Sequence, residues 1–175
     1  MFACAHAQAA EGIAITQAQI EASDEGYRLS ARFAFELNHG LEDALLHGTY
    51  LYFTTEIELT RPRWYWFPDK AVSRRQTVGI SYNAITRQYR VSQIGAEHSV
   101  QQSFSSLEDA LFLIRRPNRW LIAPKGALEA GKQYEVSLRM VLDREYLSKP
   151  IQVNAFNNAD WRLSSDLKTF SYKAE

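Results

Sequence analysis

Residues 27–37, YRLSARFAFEL, alternate large apolar side chains with polar or small ones. One parity carries Tyr27, Leu29, Ala31, Phe33, Phe35 and Leu37, and the other carries Arg28, Ser30, Arg32, Ala34 and Glu36. Successive side chains of a strand point to opposite faces of its sheet. The stretch therefore predicts a strand with one face in a hydrophobic core.

The same two-residue period continues on both sides of this strand. Residues 13–21 alternate more weakly, and the turn Asp24-Glu25-Gly26 joins them to residues 27–37, so the two runs predict an antiparallel hairpin. Further runs bring the expected total to about eight or nine strands. They are residues 49–60, 76–83, 85–93, 97–104, 132–142, 151–156 and 167–172.

Two short segments have helical periodicity instead. Both read LEDAL, at residues 41–45 and 107–111, and place Leu, Ala and Leu at positions i, i+3 and i+4. Ser106 can cap the second helix and Pro117 prevents its continuation, while Gly40 and Gly48 bracket the first. The sequence thus predicts a mainly β fold, an immunoglobulin-like antiparallel β-sandwich with two short covering helices.

The composition is that of one globular domain. Of the 175 residues, 46% are apolar, and 20 Lys and Arg balance 20 Asp and Glu. A chain of this length can bury roughly 70% of its unfolded surface without metal or disulfide support. Zero net charge argues against a nucleic-acid partner. No apolar run approaches the roughly 20 residues of a membrane span, so we expect no transmembrane segment in the mature chain.

Charge is distributed unevenly along the chain. Residues 1–60 carry nine acids and two bases, whereas residues 61–125 carry eleven bases and four acids. We expect the two segments to lie on neighbouring strands and neutralise each other. The alternative is a basic surface that faces a partner.

The first nine residues, MFACAHAQA, resemble the end of an export signal. They are small, apolar and uncharged, and Ala5-His6-Ala7 and Ala7-Gln8-Ala9 both fit a signal-peptidase site. We therefore expect residues 1–9 to be a signal remnant, residues 10–175 to form a single β-sandwich domain, and the protein to be periplasmic or otherwise exported. Two alternatives stay open: an Ala-rich N-terminus of a cytosolic protein, and a lipid attached to Cys4.

Motifs for nucleotide, metal and nucleophilic chemistry are missing from the sequence. The eight glycines form neither G-x-G-x-x-G nor a Walker loop, so we expect no cofactor. Beyond the leader the histidines are His39, His47 and His98, without H-E-x-x-H or C-x-x-C, so we expect no metal. No G-x-S-x-G elbow occurs. We predict no catalytic residues.

One segment combines arginines with consecutive aromatic residues: residues 61–70, RPRWYWFPDK. Neighbouring side chains of a strand face opposite ways, so part of this apolar surface is exposed unless something covers it. Arginine and aromatic residues are enriched in interaction hot spots. We therefore predict Arg61, Arg63, Trp64 and Trp66 as binding residues. The alternative is a strand covered by a loop or by arginine stems.

A set of spaced residues runs through almost the whole mature chain. It comprises Ala44-Leu45, Gly48, Phe53, Arg61-x-Arg63-Trp64-x-Trp66, Ile80-x-Tyr82-x-x-Ile85-Thr86-x-x-Tyr89-x-Val91, Ser106-Leu107, Ala110-Leu111, Tyr134, Leu138, Leu142-Asp143, Leu147, Pro150 and Trp161-x-Leu163-Ser164-Ser165. This set resembles a proteobacterial family of exported, signal-peptide-bearing proteins of unknown function, typically encoded beside a nitrogen-regulation-type sensor histidine kinase. The resemblance implies a periplasmic location and coupling to that sensor; it supplies no catalytic residues. Ser148 departs from the pattern, which has a proline nearby.

Together these observations predict a non-catalytic periplasmic binding or interaction domain, accessory to a two-component sensor kinase or another envelope protein. Two other classes of function stay open. One is a periplasmic enzyme with a carboxylate-based site drawn from Asp143, Glu145, Asp160 and Asp166. The other is a structural component of the cell envelope.

Overall fold

The structure is a computed structural model that describes residues 12–62, 69–95 and 101–175. These residues form nine strands and three short helices. The strands are β1 (Ala14–Ser23), β2 (Gly26–Ala34), β3 (Leu51–Arg61), β4 (Asp69–Asn83), β5 (Gln88–Gln93), β6 (Gln102–Phe104), β7 (Trp120–Pro124), β8 (Gln133–Leu142) and β9 (Lys168–Lys173). The helices are α1 (His39–Leu46), α2 (Leu107–Ile114) and α3 (Lys149–Asn157), and a 3₁₀ turn (Ala159–Trp161) follows α3.

The strands form two antiparallel sheets. The smaller has the order β1-β2-β7, and the larger has the order β6-β5-β4-β3-β8-β9. Aromatic contacts join the sheets: the rings of Phe35 and Phe53 stack at 5.0 Å, and those of Tyr27 and Tyr172 meet edge to face at 6.3 Å. The predicted mainly β fold, an antiparallel sandwich, is confirmed.

The predicted alternation correctly identifies the strand faces that form the core. On β3 the buried parity is Leu51, Phe53, Thr55, Ile57 and Leu59, and on β8 it is Tyr134, Val136, Leu138, Met140 and Leu142. The hairpin of β1 and β2 forms as predicted, with Ser23 paired to Gly26 across its turn. A single hydrophobic cluster extends across both sheets and beneath α1 and α2.

Both predicted helices form, although the first begins differently from expectation. Asn38, not Gly40, caps α1: its Oδ1 accepts a hydrogen bond of 2.9 Å from the backbone N–H of Leu41. Gly40 instead allows close packing, because a Cβ there would clash with the carboxylate of Asp160. Ser106 caps α2 as predicted, and its Oγ accepts a hydrogen bond of 3.2 Å from the N–H of Asp109.

Several predicted elements need correction. Residues 151–156 are not a strand but belong to the helix α3, which has Pro150 in its first turn and Ser148 at its N-cap. The short strand β7 was not predicted. The run at residues 85–93 is a strand only from Gln88 onward, and β4 begins at Asp69, well before the predicted start at residue 76. In the described part of the run at residues 97–104, β6 covers Gln102–Phe104, and residues 96–100 lie outside the described residues.

Cross-strand ion pairs join the acidic first segment to the basic second one. Nζ of Lys70 lies 2.8 Å from Oε1 of Glu58, and Nε of Arg75 lies 3.2 Å from Oε1 of Glu56. The acids are on β3 and the bases on β4, its neighbour in the sheet. The expected neutralisation between adjacent strands is therefore present at these two pairs.

Ile57 and Ile85 allow a matched test of this core. Ile57 is fully buried in the middle of β3, whereas Ile85 is 93% exposed in the turn after β4. We expect Ile57→Ala to lower the free energy of unfolding by about 2–5 kcal/mol, because it leaves a cavity. Ile85→Ala should change it by less than about 0.5 kcal/mol. Urea unfolding of both variants checks this, and equal losses would contradict the assignment of β3 to the core.

Candidate functional site

Of the predicted binding cluster, the structure describes Arg61, which lies at one end of the large sheet. Arg61 ends β3 and pairs in register with Asp69, the first residue of β4. Nη1 of Arg61 lies 2.9 Å from Oε1 of Glu129, and both side chains are partly exposed. Arg63, Trp64 and Trp66 fall outside the described residues. Their assignment as binding residues stays a prediction.

The outer face of the large sheet carries a row of charges. The outward parity of β3 is Tyr52, Thr54, Glu56 and Glu58, as the alternation of residues 49–60 predicts. Glu56 stands between Arg75 on β4 and Arg139 on β8. Its two carboxylate oxygens lie 3.2 Å from Nε of Arg75 and 2.6 Å from Nη2 of Arg139. One carboxylate thus holds two guanidinium groups against the sheet.

A buried carboxylate lies beside this row. The side chain of Asp143, directly after β8, is 5% exposed. Its Oδ2 accepts a hydrogen bond of 2.8 Å from the hydroxyl of Thr54 and lies 3.4 Å from Nη2 of Arg75, and its Oδ1 accepts from the N–H of Glu145. Since the single proton of Thr54 goes to Asp143, the hydroxyl of Thr77, 2.8 Å away, donates to Thr54. This chain of bonds fixes the loop after β8 to the sheet.

Aromatic rings extend the outer face beyond Asp143. The rings of Tyr50 and Tyr52 stack at 6.0 Å, and those of Tyr52 and Tyr146 meet at 5.3 Å. Tyr52 lies against Gly79 of β4, where a Cβ would stand 3.1 Å from the ring, so the glycine leaves room for it. Tyr50 is 51% exposed and Tyr146 is 47% exposed.

Next to these rings an arginine covers a phenylalanine. The guanidinium carbon of Arg144 lies 4.4 Å from the ring centre of Phe156, which is 46% exposed on α3. We call the residues Tyr50, Tyr52, Tyr146, Arg144 and Phe156 the tyrosine surface. Burial raises the pKa of the Tyr52 phenol, and the neighbouring Tyr50 raises it further. The phenol of Tyr52 is therefore neutral at physiological pH.

The acids and histidines that the sequence offers for catalysis or metal binding differ in burial. Of the four acids named as an alternative catalytic set, Asp143 is buried, and Glu145, Asp160 and Asp166 are exposed. His39 begins α1, and His47 caps its end with Nδ1 2.7 Å from the carbonyl oxygen of Asp43. Within the described ranges, no three His, Cys, Asp or Glu side chains are grouped as metal ligands.

The sequence predicts only part of the tyrosine surface. Strand parity places Tyr52 on the outer face of β3. Tyr50 precedes that strand, and Tyr146 lies in a loop after β8, so its contact with Tyr52 joins residues far apart in the sequence. Phe156 lies on α3 and joins the surface through Arg144. The alternation within one strand carries no information about such distant contacts.

The fold and this face define a class: an antiparallel β-sandwich whose large sheet presents arginine and tyrosine side chains outward. Residues 10–171 match the family described as Domain of unknown function (DUF4390), and the chain belongs to that family. No curated protein and no solved structure matches the chain. Across the described residues, no helix is both long and apolar enough to cross a membrane.

The role of Asp143 is open to a direct test. Asp143→Ala leaves the buried hydroxyl of Thr54 without its acceptor, so we expect the free energy of unfolding to fall by about 2–3 kcal/mol. The matched control is Asp166→Ala, which removes an exposed carboxylate and should cost less than about 0.5 kcal/mol. Urea unfolding measures both, and a similar small effect in the two variants would show that the Asp143 bonds are not important for stability.

Proposed function

We propose that this chain is an exported, periplasmic binding domain without catalytic activity, accessory to a membrane sensor histidine kinase. The resemblance described above supports the location and the partner. The feature of the structure that supports binding is the tyrosine surface, where Tyr50, Tyr146 and Phe156 are each about half exposed.

The composition of the tyrosine surface suits recognition of a protein. Tyrosine and arginine dominate interaction hot spots, because each offers a large contact area together with a hydrogen-bonding group. A ring that is already held in place loses little conformational entropy when a partner binds. Tyr52 is held in this way by Gly79 beneath it and by Tyr50 and Tyr146 beside it.

The charged row beside the rings makes the contact selective for the charge of the partner. Arg75 is 55% exposed and Arg139 is 45% exposed, so both present N–H donors to solvent while their shared partner Glu56 neutralises part of their charge. Partly paired arginines at the edge of an aromatic patch favour an acidic partner segment and raise its rate of association. We propose such a segment in the extracytoplasmic part of the sensor.

The cluster Arg61, Arg63, Trp64 and Trp66 is proposed as a second contact region of the same kind. The ion pair between Arg61 and Glu129 does not prevent this role, because an exposed pair contributes only about 0–1 kcal/mol and exchanges readily for a partner's carboxylate.

The double variant Tyr50→Ala with Tyr146→Ala tests the tyrosine surface. Two hot-spot rings each contribute about 2 kcal/mol, so affinity for the purified extracytoplasmic part of the sensor should fall by about a thousandfold. Phe112→Ala is the control, since Phe112 on α2 is as exposed as Tyr50, at 51%. Calorimetric titration with each folded variant gives the affinities. Unchanged affinity in the double variant would exclude this surface.

A separate variant tests the predicted cluster. Replacing Trp64 with Ala and Trp66 with Ser should abolish capture of the sensor without unfolding the domain, if these residues make the contact. Circular dichroism and the same titration distinguish the outcomes. Loss of folding would show that the tryptophans belong to the core. Stable oligomers or co-sedimentation with peptidoglycan would favour the structural envelope component instead.

A further inference from the structure

A cleft of about 500 Å³ opens between the two layers of the sandwich. Its floor is the inner face of the large sheet, and its opposite wall is the end of α2 and the chain leading into β7. It lies on the face of the large sheet opposite to the tyrosine surface, because its β3 residues, Phe53 and Thr55, have the inward parity.

Polar residues occupy inward positions at the floor of this cleft. Thr55 interrupts the otherwise apolar inward parity of β3, and Gln76 stands opposite it on β4. Gln93 on β5 stands opposite the inward Val78. A polar group on a core face costs free energy unless it finds a hydrogen-bonding partner. Departures from the apolar pattern are therefore expected at functional sites more than elsewhere.

The remaining floor and part of the wall are apolar. Phe53 and Met140 are 1% and 2% exposed, and Val78, Ile114 and Trp120 also line the cleft. The volume falls within the range of about 300–1,000 Å³ that is usual for small-molecule sites. The cleft thus offers an apolar wall with a few hydrogen-bonding groups.

Two arginines are the charged residues that line the cleft in the described part of the chain. Arg116 and Arg119 stand at its edge, and among the described residues no carboxylate lines it or forms an ion pair with either of them. Arg75 and Arg139 on the outer face, by contrast, share Glu56. Cationic groups that line a cleft without a carboxylate favour an anion.

The guanidinium of Arg116 stacks on a ring and the backbone of Arg119 is held by hydrogen bonds, and neither set of contacts uses a guanidinium N–H group. The guanidinium carbon of Arg116 lies 3.9 Å from the ring centre of Phe112. The backbone of Arg119, at a φ of 52°, is fixed to β2: its N–H donates to Oγ of Ser30, and its carbonyl accepts from Nη1 of Arg28. The left-handed backbone at a non-glycine residue is retained only where its surroundings enforce it.

We propose that this cleft binds a small anionic amphiphile, with a carboxylate head group on Arg116 and Arg119 and an aliphatic tail against Phe53, Val78 and Met140. Thr55 and Gln76 supply hydrogen bonds along the floor. The site is independent of the tyrosine surface, which lies on the other side of the large sheet.

Calorimetric titration of the full chain with three probes tests the ligand class. Dodecanoate carries both the head and the tail, acetate carries the head alone, and dodecyltrimethylammonium carries the same tail with the opposite charge. We expect dodecanoate, below its micellar concentration, to bind with a stoichiometry of one. Acetate and the cationic probe should bind at least about tenfold more weakly. Equal binding of the two long-chain probes, or no saturable binding of dodecanoate, would overturn the proposal.

Variants locate the binding site. The double variant Arg116→Gln with Arg119→Gln should weaken the binding of dodecanoate by about tenfold or more, because the charge-assisted hydrogen bonds are lost. The control, Arg87→Gln with Lys125→Gln, removes the same charge from exposed residues away from the cleft and should bind normally. Gln93→Trp, which adds bulk at an exposed edge of the cleft, should also reduce binding. Retained binding of dodecanoate in Arg116→Gln with Arg119→Gln, or in Gln93→Trp, would overturn the assignment of the ligand to this cleft.

Tyr50→Ala with Tyr146→Ala separates the two proposals. This variant should keep its affinity for dodecanoate, since its substitutions lie on the opposite face of the sheet. A failed sensor titration therefore leaves the cleft result unaffected, and a failed dodecanoate titration leaves the tyrosine surface unaffected. Loss of dodecanoate binding in this folded variant would contradict the independence of the two sites.

Discussion

The register of β3 is the constraint on which both candidate sites depend. β3 pairs with β4 on one edge and with β8 on the other, so its position is fixed from both sides. A shift of one residue would turn Phe53 and Ile57 outward and bring Glu56 into the core. The burial of Leu51, Phe53, Ile57 and Leu59 opposes that shift. The same register therefore places Tyr52, Thr54 and Glu56 on the outer face and Thr55 at the floor of the inner cleft.

The two faces of the large sheet differ in how their charged side chains are paired. On the outer face, Glu56 and Asp143 lie beside Arg75 and Arg139, and the hydroxyl groups of Thr54 and Thr77 complete the hydrogen bonding. Satisfied groups of this kind fix a structure. At the inner cleft, the described residues offer arginine guanidinium groups without a carboxylate partner. The pairing of charges therefore distinguishes the outer face from the inner cleft.

Strand parity made most of the fold predictable, and its failures have physical causes. Long strands with one buried face, such as β2, β3 and β8, show clear alternation and were found. β7 has five residues and follows a helix, too short for a periodic signal. Ile151, Val153 and Ala155 alternate with polar residues like a strand, yet Pro150 starts a helix there, and within that helix only Ala155 is buried. The tyrosine surface and the cleft combine residues far apart in sequence, and parity within one strand does not reveal such combinations.

The exposed apolar face of α3 follows from how the chain after β8 is held. Asp143 fixes its beginning, and the backbone bonds from Leu142 to Leu163 and from Ser165 to Met140 fix its end. A segment tied at both ends needs little apolar burial between them, so Val153 is 61% exposed and Phe156 is 46% exposed without loss of the helix. Because Arg144 joins Phe156 to the loop that carries Tyr146, α3 and the tyrosine surface are continuous. The anchoring that stabilises this loop therefore also presents its aromatic side chains to solvent in a fixed arrangement.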